Sequence, residues 1–547
     1  MLRLVSDCAA SSKEIAMPSP AAFTSTRISS RWALCLVLIL LTSASLLAQA
    51  GATFYVSTSG SNSNPGTYSQ PWLTIQHAAN SVAAGATVYV FGGVYHESVL
   101  IPVSGTASNY ITFQSYPGQT AVIDGTGVSC CSSNPPSSGN QTQGLINLVS
   151  QSYVTVSGFE IRNYTTGNAS LTPAGIWVTG SGTGVQLLNN LVHNITTTSE
   201  KNGNAFGIAV YGTETTPISY LTIGGNQVYD LKTGNSESVN VDGNVTYFSI
   251  TNNVVHDNDN IGIDAIGFEG VGPTGHDQAM YGEVSGNTVY NISAIHNPGE
   301  GNSYDADGLY CDGCAYTTFE LNDVYACDIA MEAASEHKGH DSSYVTIRNN
   351  LFYDSNTVGV TIGGYSNTVG GSDHVVILNN TLYNNNVKNQ GAEFQIQYHS
   401  GDTSGNIFEN NIVYAGTQNV WIYSFVKSTS GYPAPPATLN WNLYYSTAGY
   451  VKGTSITWAG VSSYKSYAAY QTATGEDADS PNANPLFVNL ESTPPDLDIE
   501  SNSPAVDAGG TSLTCNVGWC NGSSIYGSTD YAGNPRMNGS EINIGAY

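Results

Sequence analysis

Basic residues are scarce in this chain. It carries 14 Lys and Arg against 41 Asp and Glu, and charged residues of both signs make up only 10% of its 547 positions. Long apolar runs are scarce as well. One run, from Trp32 to Leu47, follows Arg27 and Arg31 and ends at Ala48-Gln49-Ala50, the small-x-small pattern of a signal-peptidase site. The run is short for a spanning helix and no second run follows. Export is therefore expected, with residues 1–50 as signal peptide, cleavage near Ala50, a secreted or periplasmic product and no membrane span. The remainder holds 10 basic and 39 acidic residues, a net charge of −29. Such a field repels nucleic acid and anionic membranes. It also repels a polyanionic glycan unless calcium or local cations intervene.

Cysteine is sparse. Seven lie beyond residue 50: Cys130, Cys131, Cys311, Cys314, Cys327, Cys515 and Cys520. An exported chain permits disulfides. Cys515–Cys520 is expected to pair locally, and at least one of the seven stays unpaired. Cys311-x-x-Cys314 has no second pair at ligand spacing, which favours packing or a disulfide over zinc.

What the chain has in quantity is repetition. Asn, any residue, Val/Leu/Phe, then Tyr or His recurs from Asn190, Asn226, Asn253, Asn287, Asn322, Asn350, Asn380 and Asn411. The intervals are 36, 27, 34, 35, 28, 30 and 31 residues. Repeats of this length with strand-like segments indicate coils of a solenoid, and uneven intervals indicate loops of uneven length. The recurrent Asn suits a tight corner, where it tolerates left-handed backbone and stacked copies can hydrogen-bond along the solenoid. The Tyr and His closing each repeat, His193 and His256 included, are expected to stack at the surface. A solenoid also explains how almost 500 residues form one body.

Each coil carries a second short strand whose second and fourth residues are apolar or small, so the third points outward. The outward positions form a row: Trp177, Ala209, Asn240, Asp264, Tyr310, Glu332, Thr361 and Gln395. Two residues on, the same face receives Asp242, Asp312, Tyr365, Gln397 and His399. Carboxylates, amides and aromatics suit a groove for a sugar chain. The competing reading is a solvated polar face. Against it, Asp264, Asp312 and Glu332 fall on successive coils, where stacked like charges destabilise a sheet unless function or a bound cation retains them.

Three stretches carry resemblances. Phe54-Tyr55-Val56-Ser57, Pro71-Trp72-Leu73-Thr74-Ile75-Gln76 and Ile123-Asp124-Gly125 resemble the amino-terminal cap of exported right-handed parallel β-helix proteins of the pectate-lyase-like class. A helix over 72–82, with Trp72, Ile75, Ala79 and Val82 on one face, would cover the open end of the solenoid. Residues 480–547 resemble a carboxy-terminal cap module of such proteins, with its Asp and Arg in internal salt bridges. The expected architecture is a single all-β right-handed parallel β-helix: 51–150 cap and first coils, 151–450 repeats with the groove, 451–547 last coils and cap. It is expected to be a monomer.

The third resemblance bears on chemistry. Gly308-Leu309-Tyr310-Cys311-Asp312 followed by Asp328-Ile329-Ala330-Met331-Glu332 resembles the active-site strands of the parallel β-helix β-xylosidase family of glycoside hydrolases. That likeness implies Asp312 as nucleophile and Glu332 as acid/base, with no cofactor. Register decides the geometry. Glu332 stacked on Asp312 gives the ~5 Å of a retaining enzyme, and Glu332 stacked on Tyr310 puts Asp312 diagonal at ~8 Å, nearer the inverting range. Glu336 is a competing acid, and His337 lies beside it. The rival reading is a calcium-dependent polysaccharide lyase. Asp307, Asp328 and Glu332 partly resemble the calcium cluster of one pectate lyase family, although Ile329 stands where another Asp belongs. Lys338 or His337 would then be the base. A non-catalytic glycan-binding or adhesin solenoid is the third reading.

Overall fold

Runs in which every second residue is Val, Ile, Leu or Phe bury one face, and the chain stacks them. A computed structural model describes residues 51–131, 143–366, 368–397, 405–424, 436–513 and 524–547. The expected signal peptide, the Cys515–Cys520 pair and His399 lie outside these residues. Three parallel sheets run the length of the molecule, each coil adding one strand to each sheet. One has 13 strands, from Thr53–Val56 to Ala437–Asn440, and the other two have 12. Their inward side chains form one continuous core.

The Asn residues hold the coils in register. The Asn190 amide donates to Asn226 Oδ1 at 3.0 Å, Asn226 to Asn253 at 3.0 Å, and so on through Asn411 to Asn442 at 3.2 Å. Each Oδ1 also accepts the backbone N–H of the Asn before it in the ladder, as between Asn287 and Asn322 at 3.0 Å. The second amide hydrogen goes to a carbonyl one coil back, as from Asn322 to Val284. The recurrent Asn is not itself left-handed, contrary to expectation. The residue before it is: Asn189, Gly225, Asn252, Gly286, Leu321, Asn349, Asn379, Asn410 and Trp441 have φ between 53° and 65°. The left-handed turn is followed by a buried Asn whose amide takes the one backbone N–H and the one carbonyl that the inter-coil backbone bonds leave over. The Tyr and His positions stack on the outside as expected, through His193, Tyr229, His256, Tyr290, Tyr325 and Tyr353.

Helix α1 (Ile75–Ser81) lies at the amino-terminal end. Thr74 caps it, Glu97 accepts the Ile75 and Gln76 N–H groups, and Ile75, Ala78 and Ala79 are buried. Trp72 precedes the helix and stacks on Phe54. At the other end, helix α2 (Tyr467–Thr474) brings Tyr467 and Tyr470 against Trp421 and Tyr444. Asp477 and Ser480 then receive the last Asn of the ladder, Asn442. Residues 485–513 and 524–547 lie along the flank of the stack, and not over its end. Asn349, Asn379 and Asn410 on three successive coils bond to Tyr526, Asn543 and Gly510 there. Nor does Arg536 form the expected salt bridge. It is buried and donates to the carbonyls of Asn543, Gly545 and Tyr547, fastening the carboxy-terminal strand segment.

Asn322→Leu is expected to strand the Asn287 N–H and the Val284 carbonyl in the core. A loss of about 2–6 kcal/mol follows, at ~1–3 kcal/mol for each buried group left unpaired. Tyr247→Ala, at a half-exposed corner ring, should cost less than about 1 kcal/mol. Urea denaturation followed by circular dichroism compares the two.

Candidate active-site cleft

Six neighbouring strands of one 12-stranded sheet make the floor: β1 (Val239–Gly243), β2 (Ile263–Ile266), β3 (Asp307–Asp312), β4 (Ile329–Ala334), β5 (Val358–Ile362) and β6 (Phe394–Ile396). Their alternation is strict where it matters. Val241, Ala265, Leu309, Met331, Val360 and Phe394 are in the core. Asn240, Asp264, Tyr310, Glu332, Thr361 and Gln395 share one row on the opposite face, each the register partner of the next.

That outward row is not a solvated face. Asp264 is 1% exposed, Tyr310 4% and Glu332 6%. Loop residues 235–237, 269, 299–300, 305 and 336 join the sheet in lining a cleft of about 760 Å³. Ten carboxylates line it: Glu237, Asp242, Asp264, Glu269, Glu300, Asp305, Asp307, Asp312, Glu332 and Glu336. Among the described residues, no Lys, Arg or His lines it.

Register staggers these charges. Asp264 lies between Asn240 and Tyr310, and Glu332 between Tyr310 and Thr361. Asp242 pairs with Ile266, and Asp312 with Ala334. Successive coils carry carboxylates, as expected, but none is directly opposite another in these pairs. Of the two registers open to Glu332, the structure therefore takes the one on Tyr310, with Asp312 diagonal. The turn after Asp312 is fixed by a Cys311–Cys314 disulfide and by Ser342, whose hydroxyl accepts the Gly313 N–H at 2.8 Å. Cys327 is buried and unpaired.

Burial is the first cause of every shift here. It pushes Glu332 up to about 8, with the Glu336 charge adding to it. Asp307 is held well above the usual carboxylate range by burial and then by Glu332. Burial and then Asp312 raise Asp264, and burial and then Glu336 raise Asp312. Asp312 also accepts the backbone N–H of Glu336 at 2.8 Å, which favours its anion. Glu332 receives no hydrogen bond from the described residues. Asp242, Asp264 and Asp307 each keep one oxygen without a partner.

A match to the family model described as "Pel9A-like, right handed beta helix region" covers residues 54–216. The uncharacterized protein YwoF of Bacillus subtilis (strain 168) is 34% identical over 457 residues, 83% of this chain and 92% of that protein. The chain belongs to the YwoF family. It folds as a right-handed parallel β-helix. Pectate lyase PEL9 of Emericella nidulans is 39% identical over 80 residues, 14% of this chain and 20% of that enzyme. The crystal structure of pectate lyase Pel9A superposes with a TM-score of 0.44 at 12% identity, covering 91% of this chain and 96% of that one. The cleft carboxylates of this YwoF-family member, from Glu237 onward, lie beyond the stretch that matches the family model.

The fold of this family member brings Asp264, Asp307, Tyr310, Asp312, Glu332, Glu336, Tyr365 and Gln397 together around the cleft. Gln395 sits in the floor row beyond Thr361. His337 stands outside the lining, with Nε2 3.8 Å from Glu269. Glu269, Asp312 and His337 hold ligand atoms within 4.8 Å of one another, a spacing that admits a metal ion. Lys338 is exposed and away from the cleft. Asp328 is also apart: Ser293, Asn356 and the Ala294 N–H hydrogen-bond its carboxylate at 2.8 Å, so it organises the loop beneath Asp307. Glu237, Glu269 and Glu300 were not legible as site residues, because they sit on connecting loops with no strand period to mark them.

Linkage sets a pH dependence. Glu332 titrates at about 8 when folded, above its ordinary value of 4.5. The folded state thus holds the proton that the unfolded state releases. Its contribution is complete below about 4.5 and is lost as pH rises through about 8. The denaturation midpoint should fall between pH ~5 and pH ~8, and Glu332→Gln should flatten that fall.

Proposed function

We propose that this protein is a carbohydrate-active enzyme, a glycoside hydrolase that cleaves within the cleft using Glu332 and Asp312. The single observation that carries the reading is their placement. They project from adjacent strands into one cleft, diagonally, with no basic side chain lining it among the described residues. Glycoside hydrolysis needs a carboxylic acid to protonate the leaving oxygen and a carboxylate to act from the other side. Glu332, still protonated near neutrality, is the acid. Asp312 is the carboxylate, and the Glu336 N–H that it accepts favours its anion against the burial and the Glu336 charge that raise it. The diagonal separation is ~7–8 Å, inside the inverting range, which makes Asp312 the base for water and not a covalent nucleophile. Tyr310 between them and Tyr365 at the rim supply aromatic surface for sugar rings.

A calcium-dependent lyase is the second reading. The similarity to pectate lyase PEL9 favours it, and Glu269, Asp312 and His337 could take the cation. The exposed position of Lys338 counts against it as the base.

Purified protein and the Glu332→Gln variant are to be incubated with neutral glycans, aryl glycosides and polyuronates, with and without calcium. New reducing ends without unsaturated sugars are expected, about 10²–10⁴-fold slower in the variant. Calcium-dependent unsaturated product would replace the hydrolase with the lyase. Glycan binding without any product would leave a binding solenoid.

A further inference from the structure

The acceptors of the cleft outnumber its donors most sharply at one end. Asn240, Asp242 and Asp264 come from β1 and β2, and Asn240 and Asp264 are register partners. All three are at most 2% exposed, and Oδ1 of each has no hydrogen-bond partner. The orientation of Asn240 is set, because its amide nitrogen donates to Glu237 at 3.0 Å and to the Tyr211 hydroxyl at 3.3 Å. Its free atom is therefore the oxygen. Asp242 and Asp264 line the cleft together with Glu237, Asn240 lies in the floor as the register partner of Asp264, and among the described residues no cationic side chain lines the cleft.

Buried acceptors without donors are rare and costly. A sugar hydroxyl supplies one donor and no charge. A uronate adds like charge. An ammonium group supplies three donors and one positive charge. We propose that the cleft takes an amino sugar, a glycan with a free ammonium group seated against the unpartnered oxygens of Asp242 and Asp264. Asp264 is two strands from Glu332, with Tyr310 between them. That is roughly 10 Å, a span that a disaccharide covers, with the Tyr310 ring under it. The ammonium would thus sit on a sugar near the scissile bond and not on a distant subsite. It also supplies the counter-charge that a cleft of ten carboxylates lacks, and so favours the ionised form of Asp312. The substrate class rests on the hydrolase reading for turnover, but not for binding.

Titration calorimetry on the purified protein tests it, with a β-1,4-linked glucosamine oligosaccharide against its fully N-acetylated counterpart. Conditions are about pH 6 and about 0.15 M salt, with chelator present. Binding of the amine is expected to be at least about tenfold tighter and to release protons, read as a heat that depends on the buffer. Asp242→Asn and Asp264→Asn, each checked for fold by circular dichroism, should bring the two ligands to parity. Equal affinity in the unaltered protein would overturn the proposal, as would a preference that survives both substitutions. A preference seen only after adding calcium would also overturn it, and would make these oxygens cation ligands. Cleavage of neutral glycans, lost in Glu332→Gln but with no amine preference, would sink this inference alone. Amine preference without any cleavage would sink the hydrolase reading alone.

Discussion

Stacked amides hold this solenoid together. At one corner of each repeat the backbone turns left-handed: the left-handed residue still donates to the next coil, as Asn189 does to the Gly224 carbonyl at 2.9 Å, but the N–H of the Asn after it meets no backbone carbonyl. The buried Asn that follows restores the pairing: one amide oxygen accepts two N–H groups from the coil below, and its own amide donates onward and back. Eight such amide-to-amide contacts run from Asn190 to Asn442. Each is worth only about 1 kcal/mol net, but leaving one unmade in the core costs more. The ladder therefore specifies register as much as it stabilises. A one-residue slip on any coil would unpair amides above and below it.

Register in turn makes the cleft tolerable. Ten carboxylates in one enclosure would break a sheet if they stacked directly. Here Tyr310 separates Asp264 from Glu332, and Asp312 stands diagonal to both. The remaining repulsion is relieved by protons, which burial holds on Glu332 and its neighbours near neutrality. Stability is given up at the site, and the long apolar core beneath those strands, with the amide ladder at the corner between the other two sheets, offsets it. Loops of unequal length enclose the cleft without disturbing the core, because the corner Asn residues hold the register.

Much of this was legible. Period-two alternation placed Asp264, Tyr310 and Glu332 on one face, because strand geometry permits only two faces. The Asn and Tyr repeats marked the corners and their stacking. Two points were misread for lack of backbone angles. The left-handed residue is the one before the Asn, and residues such as Leu321 and Trp441 give no sign of it. The carboxy-terminal module lies along the flank because its partners, Asn349, Asn379 and Asn410, are single side chains on separate coils. No local pattern announces them. Asp328 was grouped with the site by a partial resemblance to a calcium cluster, yet its carboxylate turns to Ser293 and the Ala294 N–H.

Sequence by itself determined the architecture, the number and order of the coils, and which residues face away from the core. Those follow from local periodicity, and a solenoid is built from local repeats. Tertiary structure alone decided how the carboxylates face one another, since register between coils depends on loops of unequal length. It also decided that the outward row is buried and that Glu237, Glu269 and Glu300 join it. Burial is a property of what lies over a residue, and here the covering segments are distant in sequence and without period. The acidity of Glu332, and with it any chemistry of the cleft, belongs to that second kind of information.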